Sequence, residues 1–164
     1  MTELRQRIEV AGGDLTELVR EFLDSSTDGR VKLFVLYQVL NYRKRKEAIF
    51  SRGDYLRLEA TGPKQAHVCA FGRIWEEERI VVVVPRLVVS LMDGKEQFPL
   101  GENVWGETVL LLPQDRPGQT YRDQLTGKSL VVEQINESTG LRFANIFCSF
   151  PVALLERSIT MKDG

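Results

Sequence analysis

The side chains with the clearest chemical potential are one histidine, two cysteines and two tryptophans. His67 and Cys69 share one apolar stretch of the chain, and Cys148 lies in another. A zinc site needs three or four ligands, and the neighbourhood of His67 offers too few of them. We therefore predict a packed or solvent-facing strand position for His67 and buried, inert thiols at both cysteines, although a disulfide between them stays open. No metal or cofactor is expected.

Motifs for phosphate binding and nucleophilic catalysis are absent from the sequence. The glycines lack the GxGxxG and P-loop spacings, and neither GxSxG nor HExxH occurs. Carboxylates are numerous, but they fall in turns, caps and amphipathic faces, and no pair stands out that could flank a glycosidic bond. The basic run at residues 43–46 and the acidic run at residues 76–78 are interpreted as a solvated helix end and a solvated turn, with phosphate binding as the alternative for the basic run.

Tryptophan rings can stack on the apolar faces of sugars. Trp75 adjoins the acidic run and is expected at a hairpin end. Trp105 lies in a long loop over residues 93–106 that is rich in glycine, proline and polar residues. It is therefore the better candidate for a carbohydrate contact, with core packing as the commoner role for such a residue. The residues by themselves thus show no active site.

The first 50 residues have helical periodicity. Asp14 and, three residues later, Glu17 resemble the capping box that begins a helix. Apolar residues then recur three and four positions apart, as on one face of a helix. They are Leu15, Leu18, Val19, Phe22 and Leu23.

A second helix is predicted to begin at Asp28, whose carboxylate can accept from the free N–H groups of the first turn. Arg30 lies in that turn and opposes the helix dipole, so we expect it to pair with an acidic group of the helical segment. Asp28, Arg30 and Lys32 thus form a structural cap or, alternatively, a cleft rim. The helix carries two apolar stripes, which are Val31, Phe34, Val35 and Val39, and Leu33, Leu36, Tyr37 and Leu40.

Two stripes on one helix require cover on more than one side. A single sheet covers only part of this surface, and apolar patches beyond a few hundred Å² are uncommon on soluble monomers. We therefore expect the isolated chain to form a homodimer through its helices, most simply a two-fold one.

Beyond residue 51 the pattern changes to short strands separated by turns. Leu56 and Leu58 alternate with polar residues, and residues 80–84 form a β-branched run. Strands are predicted over residues 55–60, 66–74, 79–91, 107–113, 129–133 and 144–156. Many short strands with turn signals indicate an antiparallel sheet or sandwich. The predicted fold is therefore α+β, with a helical segment over 1–50, an antiparallel β-sandwich over 51–156 and a tail over 157–164.

Composition restricts the classes of partner. The chain has 164 residues, which suits one domain or one domain with an appendage. With 22 basic and 23 acidic residues it lacks the positive excess of a general nucleic-acid binder. No apolar run reaches the roughly 18 residues of a membrane span, and the first ten residues are too polar for a secretory signal. We expect a cytoplasmic protein that binds neither nucleic acid nor a membrane.

Seven stretches in order resemble the C-terminal part of the maltooligosyltrehalose synthase family. Each is weak alone, and their order makes the resemblance specific. They are DGRVKL at 28–33, GDYLRL at 53–58, HVCAFGR at 67–73, VVVPRL at 82–87, WGETVLLLP at 105–113, YRDQLTG at 121–127 and FPVALL at 150–155.

The resemblance implies an α-amylase-like enzyme that re-links the reducing-end α-1,4 glucose of a maltooligosaccharide as an α,α-1,1 trehalose end. The implied chemistry is retaining, with a carboxylate nucleophile and a carboxyl acid/base. The family's catalytic barrel needs about 250 residues, and its carboxylates lie upstream of the matched stretch, so no catalytic residue is carried over. The resemblance implies helices from the end of the barrel region, followed by a C-terminal β-sandwich.

We therefore predict a C-terminal, non-catalytic domain, inactive alone, whose partner is the catalytic barrel of the parent polypeptide and which meets maltooligosaccharide through that enzyme. The alternatives are a carbohydrate-binding module centred on Trp105 and a ligand-free structural or interaction domain.

Overall fold

The computed structural model describes residues 2–25 and 29–159. Within these ranges four helices come first and are followed by ten short strands, with further short helices between them. The helices of the N-terminal segment are α1 (Thr2–Ala11), α2 (Thr16–Asp24), α3 (Arg30–Arg45) and α4 (Glu47–Ser51). The predicted α+β fold, helices first and antiparallel strands after them, is confirmed.

The strands form two antiparallel sheets. The six-stranded sheet has the order β1-β3-β4-β10-β6-β7, and the four-stranded sheet has the order β2-β5-β9-β8. The first sheet contains β1 (Asp54–Arg57), β3 (Val68–Trp75), β4 (Glu78–Pro85), β6 (Thr120–Asp123), β7 (Ser129–Val131) and β10 (Ala153–Arg157). The second contains β2 (Ala60–Thr61), β5 (Val109–Leu111), β8 (Glu133–Ile135) and β9 (Ser138–Arg142).

Two predicted strands are too long. The one predicted over 79–91 ends at Pro85, because Leu87 adopts a left-handed conformation (φ 53°) and α5 (Val88–Leu91) follows. The one predicted over 144–156 begins with α7 (Phe143–Ile146), and α6 (Glu102–Trp105) interrupts the predicted loop. Strands β6 and β9 lie outside the predicted set, and β2 and β8 overlap it only at Ala60 and Glu133, since most of their residues are polar or their segments are very short.

The central strands β4 and β10 are buried on both faces. Val81, Val83 and Leu155 belong to the core between the two sheets, whereas Ile80 and Leu154 belong to a second core beneath the helices. Side chains alternate between the faces of a strand. The uninterrupted apolar run at residues 80–84 is explained by this position, because each face of the strand packs against a core.

Aromatic rings attach the helices to the six-stranded sheet. The ring of Phe22 on α2 lies 5.6 Å from that of Phe34 on α3, which in turn lies 5.8 Å from the ring of Phe150. All three side chains are buried. Such ring pairs contribute about 0.5–1.5 kcal/mol each beyond their buried area.

The loop before α2 is held against the turn that follows β6. The N–H of Leu15 donates to the carbonyl of Thr126 at 2.9 Å, and the Arg122 guanidinium donates to the carbonyl of Gly13 at 2.9 Å. A Cβ atom at Gly127 would lie 1.9 Å from the Gly13 oxygen. Only glycine at position 127 permits this approach of the two backbones.

A buried carboxylate joins three strands at one end of the sandwich. Asp115 accepts hydrogen bonds from the Arg79 guanidinium and the Tyr121 hydroxyl, both at 2.8 Å, and from Arg157 at 3.3 Å. The Asp115 side chain is 0% exposed and that of Arg79 only 6%. Burial, together with the Asp115 charge, raises the pKa of Tyr121. The carboxylate thus neutralises guanidinium charge inside the fold.

Replacing Asp115 with alanine is expected to lower the free energy of unfolding by about 3–5 kcal/mol, because the Arg79 guanidinium would stay buried without its partner. Urea denaturation measures this loss. The exposed pair of Arg142 and Glu133, at 3.1 Å, provides the control. Glu133→Ala should cost less than about 1 kcal/mol, and equal small losses in both variants would contradict the prediction.

A second buried carboxylate organises the turn after β6. Asp123 accepts from the N–H groups of Leu125 and Leu154 at 3.0 and 3.2 Å, and from the Thr126 hydroxyl at 2.7 Å. Burial raises its pKa from 3.8 to about 6, and the hydrogen bonds oppose this rise. The folded chain therefore binds a proton here more tightly than the unfolded chain does.

This difference predicts a pH dependence of stability. Between pH about 4 and 6 the folded chain holds more protons at Asp123 than the unfolded chain, so the free energy of unfolding falls as the pH rises. The contribution lost is on the order of 3 kcal/mol. It should be absent from Asp123→Asn, which keeps the volume and one acceptor oxygen. Chemical denaturation across this pH window measures both chains, and parallel pH profiles would contradict the assignment.

Candidate functional site

Trp105, the predicted carbohydrate contact, lies in the core. Its side chain is 0% exposed, and its indole Nε1–H donates to the carbonyl of Pro99 at 2.7 Å. Its ring centroid lies 5.3 Å from that of Phe143 and 5.1 Å from that of Phe147. The short helix α6 carries the ring inward, so no face of it is available to a sugar. The prediction of a sugar contact at Trp105 is wrong in this structure, and the core alternative describes the residue.

The histidine and cysteines also occupy places that differ from those predicted. His67 ends a short 3₁₀ turn (Gln65–His67) before β3 rather than lying within the strand. Cys69 and Cys148 are free thiols and both are exposed, so the prediction of buried thiols is wrong. In the described ranges no group of three His, Cys, Asp or Glu side chains is placed to hold a metal ion. No helix there is long and apolar enough to cross a membrane.

The start of α3 carries the remaining predicted site residues. Asp28 lies outside the described residues, and Gly29, with φ of 80°, precedes the helix. Arg30 lies 3.5 Å from the Glu21 carboxylate on α2, the type of partner predicted for it. The same carboxylate pairs with Arg7 on α1, and these contacts lower the pKa of Glu21. Lys32 is exposed on α3.

The two apolar stripes of α3 have different environments. Phe34, on the first stripe, is fully buried, and Val31, Val35 and Val39 are partly buried. On the second stripe Tyr37 is partly buried, whereas three leucines lie in solvent. We call Leu33, Leu36 and Leu40 the leucine ridge; their exposed fractions are 39%, 47% and 61%.

The spacing of the leucine ridge is that of a helix-packing seam. Its members lie at positions i, i+3 and i+7, which is the interval of successive core positions in helix pairs. At 100° per residue they fall on one side of α3, and the basic residues Lys32, Arg43 and Lys44 flank them. All three are exposed, and α3 contains no acidic residue. The ridge is therefore an apolar surface with a positive border.

Comparisons with known proteins found one relevant likeness. No family model matches the sequence, and no curated protein does. A solved structure of a mutant of maltooligosyltrehalose synthase from Arthrobacter ramosus matches with a TM-score of 0.56 and 24% sequence identity. The match covers 86% of this chain and 17% of that chain. It shows a shared fold, and this chain corresponds to only a small part of the larger enzyme.

The buried position of Trp105 predicts its fluorescence. In a Trp75→Phe variant only Trp105 emits, and we expect blue-shifted emission that acrylamide quenches poorly and that maltopentaose leaves unchanged. Trp75 is partly exposed, so the matched Trp105→Phe variant should emit at longer wavelength and be quenched more readily. Protection of Trp105 from acrylamide by the sugar would contradict the core assignment.

Proposed function

We propose that this chain is the C-terminal, non-catalytic domain of a maltooligosyltrehalose synthase, acting in the cytoplasm in trehalose biosynthesis. The parent enzyme would re-link the reducing-end α-1,4 glucose of a maltooligosaccharide as an α,α-1,1 unit. In this proposal residues 1–50 flank the catalytic barrel, residues 51–156 form the β-sandwich and residues 157–164 are a tail. Strand β10 ends at Arg157, one residue inside the proposed tail.

The observation that carries the proposal is the likeness in fold over nearly the whole of this chain to a small part of a much longer enzyme. The sequence resemblance points to the same family independently, through seven ordered stretches. A supporting rather than a catalytic role is consistent with these features.

The leucine ridge is the surface we assign to the catalytic part of the parent polypeptide. Full burial of a leucine side chain contributes about 1.5–3 kcal/mol. Because the three leucines are on average about half exposed in the isolated chain, burial by a partner would add about half of that free energy for each. The positive border selects an acidic partner surface, since unlike charges favour association. The second candidate function, a ligand-free interaction domain, is supported by the same ridge. In that case the ridge would bind a partner other than the catalytic part of the parent polypeptide.

The charges around the ridge argue against a second copy as its preferred occupant. In a symmetric dimer two α3 helices would meet, and each brings basic residues and no acidic one. Like charges across such a contact oppose association. The homodimer stays a prediction. The dependence of association on salt concentration distinguishes a second copy at the ridge from an acidic partner. Added salt should strengthen a homodimer by screening repulsion and weaken a complex with an acidic partner.

The isolated chain is expected to form no trehalosyl product from maltopentaose, because the catalytic barrel is not within the matched stretch. The measurement is product analysis by chromatography after incubation with the pure chain. An intact maltooligosyltrehalose synthase is the positive control. Non-reducing trehalosyl product from this chain, at a rate near that of the control, would overturn the proposal.

Docking through the ridge is tested with the Arthrobacter ramosus enzyme lacking its matched segment. We expect the chain to bind that protein, and Leu36→Ser and Leu40→Ser each to weaken the complex about tenfold, the equivalent of about 1.4 kcal/mol. Val131→Ser, at an exposed strand position, is the control and should bind as the unaltered chain does. Binding that is equal in all variants would exclude the ridge as the contact surface.

A further inference from the structure

A polar cleft lies between the C-terminal end of α3 and the outer face of the six-stranded sheet. Its volume is about 280 Å³. The helix contributes Tyr42, Lys46 directly follows the helix, and the adjacent strands β4 and β10 contribute Glu78 and Glu156. This cleft is separate from the leucine ridge, which lies on the other side of α3.

One lysine holds the two carboxylates of the cleft. The Lys46 ammonium lies 2.5 Å from Oε1 of Glu78 and 2.7 Å from Oε1 of Glu156. Burial alone would lower the pKa of Lys46, but the hydrogen bonds to Glu156 and Glu78 outweigh this and raise it. The ammonium therefore stays charged. Lys46 contacts only Oε1 of each carboxylate, so the second oxygen of each remains an acceptor in the cleft, with the Tyr42 hydroxyl close to the Glu156 carboxylate.

The cleft also contains a buried hydroxyl group. The Tyr42 side chain is 1% exposed, and its Oη, which lies near the Glu156 carboxylate, makes no hydrogen bond of ordinary geometry within the described ranges. Burial, the Glu156 charge and the interaction of the hydroxyl with Glu156 raise the pKa of this phenol, so it stays protonated and can donate. A buried polar group left unsatisfied costs about 1–3 kcal/mol, which is why such groups usually meet a ligand or an ordered water.

Further donors and acceptors surround these groups. Arg122 is registered opposite Glu156 in the sheet, and the Gln124 amide offers both a donor and an acceptor. Ile80 and Ile159 supply apolar lining. Lys46 already occupies the place between the carboxylates, so a free cation has no vacant position there. The guanidiniums of Arg79, Arg122 and Arg157 also line the cleft, but Asp115 holds the first and third, the Gly13 carbonyl holds the second, and the two carboxylates repel an anion. The donors and acceptors that remain suit a compact ligand that carries several hydroxyl groups and some apolar surface.

We propose that this cleft binds a neutral polyhydroxylated ligand of about the size of one sugar ring, with Tyr42, Glu78 and Glu156 contacting its hydroxyls. The volume is slightly below the range of about 300–1,000 Å³ that is usual for drug-sized ligands, which suits a single ring. The proposal does not rest on the docking role of the domain, because it uses a different face of α3.

Maltose, of which one ring would enter the cleft, and sorbitol are the probes, and the amide NMR spectrum of the full chain is the measurement. We expect millimolar maltose to shift the amide signals of residues 42, 78, 124 and 156. Tyr42→Phe removes one oxygen that makes no hydrogen bond of ordinary geometry in the folded chain, so it should preserve the melting temperature. It should weaken maltose binding by about threefold to tenfold, the effect of one lost hydrogen bond. The matched control is Tyr55→Phe, at an exposed ring on β1, which should change neither quantity.

Three outcomes would overturn the proposal. The first is that neither maltose nor sorbitol shifts these signals. The second is that inorganic phosphate shifts them at lower concentration than maltose, which would indicate an anion site. The third is that Tyr42→Phe and Glu156→Gln both bind maltose as the unaltered chain does. If Tyr42→Phe fails to fold, Glu156→Gln alone decides, since Lys46 keeps Glu78 as a partner.

Discussion

The burial of β4 and β10 on both faces is the constraint on which the remaining structure depends. One face of this strand pair completes the core between the sheets, and the other forms the floor on which α2 and α3 pack. Removal of the helices would therefore expose Ile80, Val82 and Leu154 to water. The helices in turn cannot bury Phe22 and Phe34 without this floor. The core between the sheets contains no residue of α1–α4, but the second core needs the helices and the sheet together, which is why the helical segment and the sandwich form a continuous packed unit.

The parts of the fold that follow from local periodicity were predictable from the sequence. The face of α2 that contains Val19 and Phe22 is buried as its spacing indicates, and the two stripes of α3 exist as predicted. The amphipathic pattern could not decide which stripe would be covered. That outcome depends on Phe150 and on the sheet, which lie far along the chain. The exposed leucine ridge was thus predictable as a pattern and became a candidate site only through the tertiary arrangement.

Features that depend on distant residues could not be predicted. The network at Asp115 brings together Arg79 and Arg157, which are separated from it by 36 and 42 positions, and its sequence surroundings resemble an ordinary surface turn. Trp105 was placed in a loop by its glycine- and proline-rich neighbours, yet one short helical turn carries it into the core. The spacing of Phe143, which begins α7, and Phe147, which directly follows it, was a helical signal hidden within an apolar run. The polar cleft combines Tyr42 on α3 and Lys46, which follows that helix, with strand residues that periodicity assigns only to solvated ends.

The contact between Gly13 and the turn after β6 has a consequence for synthesis of the chain. The groups that meet there are 109 positions apart. The helices therefore leave the ribosome long before the strands on which they pack have been synthesised. At about 5–20 residues per second, the apolar face of α2 waits several seconds for Leu125, Phe150 and Leu154. During this interval its natural protection is the ribosome surface, a chaperone or an already folded preceding segment. The order of the elements along the chain thus makes the helical segment the part most exposed to premature association.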